Sequence, residues 1–397
     1  MARGKPASEA EASSGGNARD GRRTSLVTEV ARELENQISV GKWPVGFRIG
    51  NEEELARRLG VSRRTLREAL RILEVSGLVD SRRGRSGGLF VASSYPDFIC
   101  KTVANYLEFI RVSSEELGGL LKVLGKNSLI RAMANLSGDD YHAISVQISA
   151  SSEKSLPERM ETNGAISEML LRKSGNAALI LYMKVLRKMT FDAGVYSRLD
   201  DESWYKMLGR LSGGMASLFR AVAERRDAEA IAANDEMSGF FQQWFEDSLL
   251  YRREPVSAQI TQRAYDYFPP SRPMKKADRV QRELREIIFQ AGDKTGSFLG
   301  SEKELVAHFG VGRWVLREAL RSLEQMGVIE VELGARGGIR VVAPDPVLIA
   351  DACRRHLRRE GLRRQDAVEA RVMLDEHAQS ASGPIPINDL FRRVLTP

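Results

Sequence analysis

The sequence predicts a mainly α-helical chain with small β-sheets, in which two copies of one compact unit flank a longer all-helical region. Three observations carry that prediction. Residues 50–91 align with residues 300–341 without a gap and agree at about 20 of 42 positions, a self-similarity at fixed offset that composition does not produce. Each copy holds a run whose apolar residues recur three or four apart, followed by alternating residues around glycines, so helix gives way to hairpin. Residues 95–251 between the copies show helical spacing and no strand alternation.

The totals narrow the class. A chain of 397 residues expects two to four domains and has material for several cores. Its hydrophobic share of 42% is that of a water-soluble globular protein. The net charge of +7 makes an anionic partner plausible without requiring one. Cys100 and Cys353 are the only cysteines, which argues against a disulfide framework or a thiolate zinc site and suits a reducing compartment. No apolar run approaches membrane-spanning length, Lys184 interrupting the longest, and the N-terminal stretch has no apolar signal region.

Residues 1–23 are rich in Ala, Ser, Gly and charge, and are expected to be a disordered tail. Leu26, Val30, Leu34 and Ile38 then mark a helix, and residues 41–46 are turn chemistry. Asn51 is placed to cap a helix whose first turn is Glu52, Glu53 and Glu54, favourable for the helix dipole. Gly60 is a C-cap and Ser62 the next N-cap. In the following helix Leu66, Ala69, Leu70 and Leu73 form the docking stripe. Arg63, Arg67 and Arg71 step round its flank, with Arg64 further out. A solvated charged face is the plain reading of one such helix; the second copy raises the odds of a shared purpose. Gly77 ends the segment, and residues 78–91 make two short strands joined by a Gly- and Arg-rich tip. Helix, turn, helix and hairpin together are a winged helix-turn-helix, expected at 24–94 and again at 275–343.

The run Gly60-Val-Ser-Arg-Arg-Thr-Leu-Arg-Glu-Ala-Leu-Arg-Ile-Leu-Glu74, its second version from Gly310 to Glu324, and the Gly-rich hairpin after each resemble the GntR family of bacterial transcription regulators. The resemblance covers roughly 70 residues in each copy. It implies that the start of the second helix enters the major groove of double-stranded DNA and the wing tip reaches the minor groove. Carried over, it implicates Ser62, Arg63, Arg64, Thr65 and Arg67, with Arg83, Gly84 and Arg85 at the wing, and Arg313, Trp314, Arg317 and Arg336 in the second copy. The chemistry agrees: a guanidinium fork matches guanine or phosphate, and small residues permit close approach. The second copy has Gly312 for Ser62, Trp314 for Arg64 and Val315 for Thr65, and a less basic wing. It is open whether that copy reads a different half-site, binds weakly, or serves as scaffold. Where the family often carries a basic residue in the helix before, this chain has Glu53 in the first copy and Lys303 in the second.

Residues 95–251 are helical in pattern, as at Ile166–Leu171, Leu179–Met189 and Leu218–Met237. Within them Ile166-Ser-Glu-Met-Leu-Leu-Arg-Lys-Ser-Gly-Asn176, with Arg226-Asp-Ala-Glu-Ala230 further on, resembles more weakly the all-helical FCD effector domain of the FadR-type subgroup. Many members of that subgroup hold a divalent metal with three histidines and a carboxylate. Here the matched positions fall on Ser167 and near Ala216 and Ser238, and the chain's histidines are His142, His308, His356 and His377. Three imidazoles cannot converge in this region, so no metal and no cofactor is expected. His142 reads as a surface or packing residue. A small-molecule effector of organic-acid type and a domain used only for dimerisation both stay open. Residues 252–274 read as a proline-marked linker, with Tyr265, Tyr267 and Phe268 available for packing. Residues 344–397 read as a partial helical segment, the opening of a second effector domain too short to bury a core alone; docking on the rest of the protein, pairing with another chain and staying loose all remain open for it.

The expected function is a sequence-specific transcription regulator, a repressor, acting as a cytoplasmic, nucleoid-associated homodimer and binding no membrane. Because one chain already carries two heads, it is open whether a single chain imitates a dimer or a dimer of chains presents four heads. A non-specific DNA-bridging protein is the alternative. No nucleophile–base pair, metal cluster or phosphate loop suggests an enzyme, and Gly84-Arg-Ser-Gly-Gly88 is wing rather than phosphate cradle.

Overall fold

The computed structural model describes residues 14–82, 88–92, 95–195, 199–248, 276–290, 295–332, 337–379 and 385–396. The chain forms two compact units, Met1–Phe98 and Ile99–Pro397.

The first unit is built on α1 (Ser14–Val40), β1 (Arg48–Gly50), α2 (Glu52–Leu59), α3 (Arg63–Val75), β2 (Val79–Arg82) and β3 (Gly88–Val91). The strands form one antiparallel sheet in the order β1-β3-β2, with Val79 opposite Val91 and Arg82 opposite Gly88. The local reasons for these elements are the ones visible in sequence. Asn51 Oδ1 accepts the Glu54 amide at 2.9 Å, and the three glutamates sit against the positive end of α2. Gly60 closes α2 with φ of +67°, and its amide returns to the carbonyls of the last turn. Ser62 Oγ accepts the Thr65 amide at 3.1 Å and starts α3. Leu66, Ala69, Leu70 and Leu73 are buried, as are Leu34, Ile38, Leu55, Leu78, Leu89 and Val91 of the same unit. Each buried leucine contributes about 1.5–3 kcal/mol, so this stripe fixes how α3 sits. α1 begins at Ser14, inside the stretch read from sequence as tail. Once Leu26–Ile38 is docked, added turns need no new nucleus, and no proline stops them.

The second unit contains the helical region, the second winged unit and the C-terminal helices. α4 (Tyr95–Phe109) crosses the boundary between units, followed by α5 (Ser114–Asn135), α6 (Gly138–Ser151), α7 (Leu156–Lys173), α8 (Ala177–Val195), α9 (Asp201–Ala223) and α10 (Asp227–Asp247). Capping boxes at Ser113/Glu116 and Ser137/Asp140 start α5 and α6. α5 is central: it packs against α7, α8 and α10. Its buried Leu129, Ala132 and Met133 join Ile144, Ile166, Phe219 and Val222 in one cluster. The stretch Leu218–Met237 is two helices rather than one, because the chain turns at Arg225, whose φ is +57°. None of the helices is long and apolar enough to cross a membrane, among the described residues.

The second winged unit repeats the first: α11 (Lys276–Gln290), β4 (Phe298–Gly300), α12 (Glu302–Phe309), α13 (Arg313–Gln325), β5 (Ile329–Val331) and β6 (Ile339–Val341), in the sheet order β4-β6-β5. Ser301 and Glu304 form a full capping box, and Gly310 adopts φ of +59° where Gly60 stands in the first copy. Leu284, Ile288, Leu305, Leu316, Leu320, Leu323, Ile339 and Val341 are buried at the positions equivalent to the first core.

α14 (Pro346–Arg359), α15 (Arg364–Gln379) and α16 (Pro386–Val394) complete the chain. Of the three fates open to them in sequence, they dock on the helical region. Tyr182 of α8 donates to the Phe391 carbonyl at 2.8 Å, and the two rings stack at 3.9 Å. Asn176 donates to the Asp366 carbonyl at 3.0 Å. Arg131 of α5 bonds the Ser174 carbonyl at 2.9 Å and pairs with Glu369. Within the segment, His377 and Asn388 share a buried hydrogen bond of 3.0 Å. The linker expected at 252–274, with Tyr265, Tyr267 and Phe268, lies outside the described residues.

Candidate nucleic-acid interface

The exposed flank of α3 is set by its buried one. With Leu66, Ala69, Leu70 and Leu73 turned inward, Arg63, Arg64 and Arg67 fall on the solvent side, their side chains 60%, 76% and 59% exposed. Arg71 continues the row at the surface. The arginines are held by carboxylates. Arg67 Nε lies 2.7 Å from Glu52 Oε2, Arg63 Nη2 lies 2.9 Å from Glu53 Oε1, and Arg64 Nε lies 3.4 Å from Glu68. Exposed pairs of this kind contribute about 0–1 kcal/mol. They therefore orient the guanidinium groups without locking them, and a phosphate oxygen can replace the carboxylate at small cost. Arg82, on the strand leading to the wing, stacks over Phe90 with 4.3 Å to the ring centroid.

Thr65 does not join this face. Its residue is 8% exposed, and its hydroxyl lies 2.8 Å from Ser62 Oγ. The N-terminal turn folds the small side chain back over the cap, so Thr65 stabilises the start of α3 and is not presented outward. Ser62 remains at the surface but is already engaged in capping. Arg83, Gly84 and Arg85 of the first wing, and Arg336 of the second, lie outside the described residues.

The second copy keeps the frame and changes its surface. Arg317 lies 3.0 Å from Glu302, the same pair as Arg67 with Glu52 displaced by the repeat offset. This brace between consecutive helices was missed in sequence, although Glu52/Arg67 and Glu302/Arg317 stand in equivalent positions of the alignment. Trp314 occupies the place of Arg64 and is 71% exposed, an unusual position for a large aromatic side chain. Gly312 caps α13 without a side-chain hydrogen bond. Arg313 is at the surface with Lys303 in the helix before it, whereas the first copy sets Glu53 against Arg63. That corner is cationic in the second copy and neutralised in the first.

In the helical region a cavity of about 390 Å³ is lined by Leu129, Leu170, Phe219 and Met237, with Ser167, Arg187, Asn234 and Trp244 among its polar groups. Asn234 Nδ2 and Trp244 Nε1 are buried donors without a hydrogen-bond partner. Of the positions to which the FCD resemblance would carry imidazoles, Ser167 lines the cavity. Ala216 and Ser238 adjoin the lining residues Met215 and Met237. Among the described residues no group of three or more His, Cys, Asp or Glu is placed to hold a metal ion. His142 is exposed on α6.

Residues 26–90 and 276–341 each match the family model described as bacterial regulatory proteins, gntR family. The HTH-type transcriptional repressor NanR of Escherichia coli (strain K12 / DH10B) is 35% identical over 81 residues, which are 20% of this chain and 31% of that protein. NanR of Enterobacter sp. (strain 638) is 34% identical over 74 residues, 19% of this chain and 28% of its own length. The chain thus spans under a third of the curated relatives it matches. Among solved structures, Streptococcus agalactiae GntR aligns over 55% of this chain and 99% of its own, with 18% identity and a TM-score of 0.34. A GntR family regulator from Pseudomonas syringae pv. tomato aligns over 58% and 96%, with 20% identity and a TM-score of 0.23.

Proposed function

We propose that this chain, with its two gntR-type winged units, is a sequence-specific DNA-binding transcription regulator that acts as a repressor in the bacterial cytoplasm. The observation that carries the reading is the exposed arginine row of α3, held outward on a helix whose opposite face is locked into the core. On this reading Arg63, Arg64 and Arg67 contact bases and phosphates of one half-site, and Arg313, Trp314 and Arg317 meet a second. Ser62 approaches the backbone, and the wing residues Arg83, Gly84, Arg85 and Arg336 reach toward the minor groove. Because the two reading helices differ, the operator is an imperfect palindrome, with half-sites about one helical turn apart.

The test is a genome-wide footprint followed by affinity measurement on the site it names. Binding is expected to be about a thousandfold or more tighter than to random DNA of equal length, and to fall steeply with salt as phosphate contacts release counterions. A ratio near unity would leave the DNA-bridging reading in its place.

The cavity supports a regulatory role for the helical region. Its walls are apolar, and the free donors of Asn234 and Trp244, with Arg187, suit a small molecule carrying an acceptor group such as a carboxylate. Such a ligand would be held without a metal. Titration with octanoate should change tryptophan emission in wild type and leave Arg187→Met unchanged; an identical response in both would discard Arg187 as its anchor.

A further inference from the structure

The repeat does not stop at the second wing. Carried on at the same offset, α4 corresponds to α14, and α5, which begins at Ser114, corresponds to α15, which begins at Arg364. Equivalent positions are buried in both: Ile99 and Ile349, Val103 and Cys353, Leu107 and Leu357, Leu120 and Ala370, Leu124 and Leu374. The chain therefore carries a second copy of the first helices of the effector region, not an unrelated tail.

Of these, α5 and α15 pack on each other. At one end of the α5–α15 contact a Cβ added to Gly119 would stand 2.9 Å from His377 Nε2. At the other end Arg131 pairs with Glu369. The helices run antiparallel, and midway between these contacts lie Gly125 and Met373. Each is one residue from Leu124 or Leu374, which are equivalent, identical and fully buried. Equivalent helices crossing antiparallel near equivalent residues have the form of an isologous contact, which normally relates two identical subunits about a twofold axis. Cys100 of α4 and Cys353 of α14 are both buried. The second winged unit also leans on a first-copy helix. Arg285 lies 3.0 Å from Glu108, both largely buried, and the Met326 sulfur meets the Asn105 side chain.

We propose that α14 and α15 take the place of a partner subunit. The chain pairs with itself about a pseudo-twofold axis through the α5–α15 crossing, and this face of α5 needs no second chain. Of the two arrangements open in the sequence, this is the one in which a single chain imitates a dimer. The inference requires no DNA and stands apart from the regulator reading.

A cross-link decides it. In the full-length double variant Arg131→Cys/Glu369→Cys, a short bis-maleimide is expected to bridge the two sites within one chain, giving a monomer of altered electrophoretic mobility. The native Cys100 and Cys353 are buried. A covalent dimer, or no bridge in a folded protein, would overturn the proposal. If that variant fails to fold, Gly119→Cys/His377→Cys probes the other end of the same contact. Wild type should sediment at the mass of one chain, 44.2 kDa; a stable dimer would overturn the claim that the face is filled from within.

Discussion

The two winged units share one interior and differ at the surface. Leu34, Leu55, Leu66 and Leu73 recur as Leu284, Leu305, Leu316 and Leu323, all buried. The brace from Glu52 to Arg67 recurs as Glu302 to Arg317. The exposed positions have diverged: Arg64 against Trp314, Ser62 against Gly312, Glu53 against Lys303. Packing tolerates little change of volume or shape, while a solvated position is constrained only by what it meets. The difference teaches that the fold of the second head is under the same restraint as the first, and that its exposed face is not.

The largest effect should fall on the shared interior. Leu66→Ala and Leu316→Ala should each cost about 2–5 kcal/mol in denaturant unfolding, and a second head indifferent to the change would break the equivalence.

Next is a site where the copies part after the wings, Tyr106 against His356. Burial, with help from Arg359 and Lys184, pushes His356 down from 6.5 to about 4. A depressed histidine is neutral when folded, so its share of stability is intact above the unfolded value. It drains away as pH falls from about 6.5 towards about 4, by roughly 3 kcal/mol in all. His356→Tyr, the first-copy residue, should flatten melting-temperature curves across that window; an unchanged pH profile would place the sensitivity elsewhere.

On DNA, Arg63→Ala and Arg67→Ala should each weaken binding to the selected operator by about 1–3 kcal/mol, and Arg317→Ala by less. Gel-shift titration at moderate salt checks this, and equal losses in the two heads would show that both read with the same strength. The smallest expected effect is at the caps. Ser62→Gly should cost a few tenths of a kcal/mol, and Gly312→Ser should return as much to the second head, both read from thermal melts.

Much of this frame was legible in the residues. Asn51, Gly60, Ser62 and the Ser301/Glu304 box act through hydrogen bonds spanning three or four residues, and the leucine stripe is a matter of spacing. What escaped depends on contacts remote in sequence or on local competition. Thr65 looks outward by composition, yet the Ser62 hydroxyl draws it in. The Glu52–Arg67 brace joins two helices, and no helical periodicity announces it. The break at Arg225 interrupts a stretch whose apolar residues keep helical spacing on both sides. Docking of α14–α16 was one of three open outcomes, since a short amphipathic segment does not name its own partner.

A homodimer is obliged to read symmetrically, because one codon change alters both of its recognition helices at once. Here α3 and α13 are spelled out separately along one gene product. If both read DNA as proposed, each can drift towards its own stretch of sequence while the other holds station, and a substitution that ruins one grip leaves the second intact. On the proposed reading, duplication within the chain would free the target from mirror symmetry and bring promoters with a single well-formed half within reach.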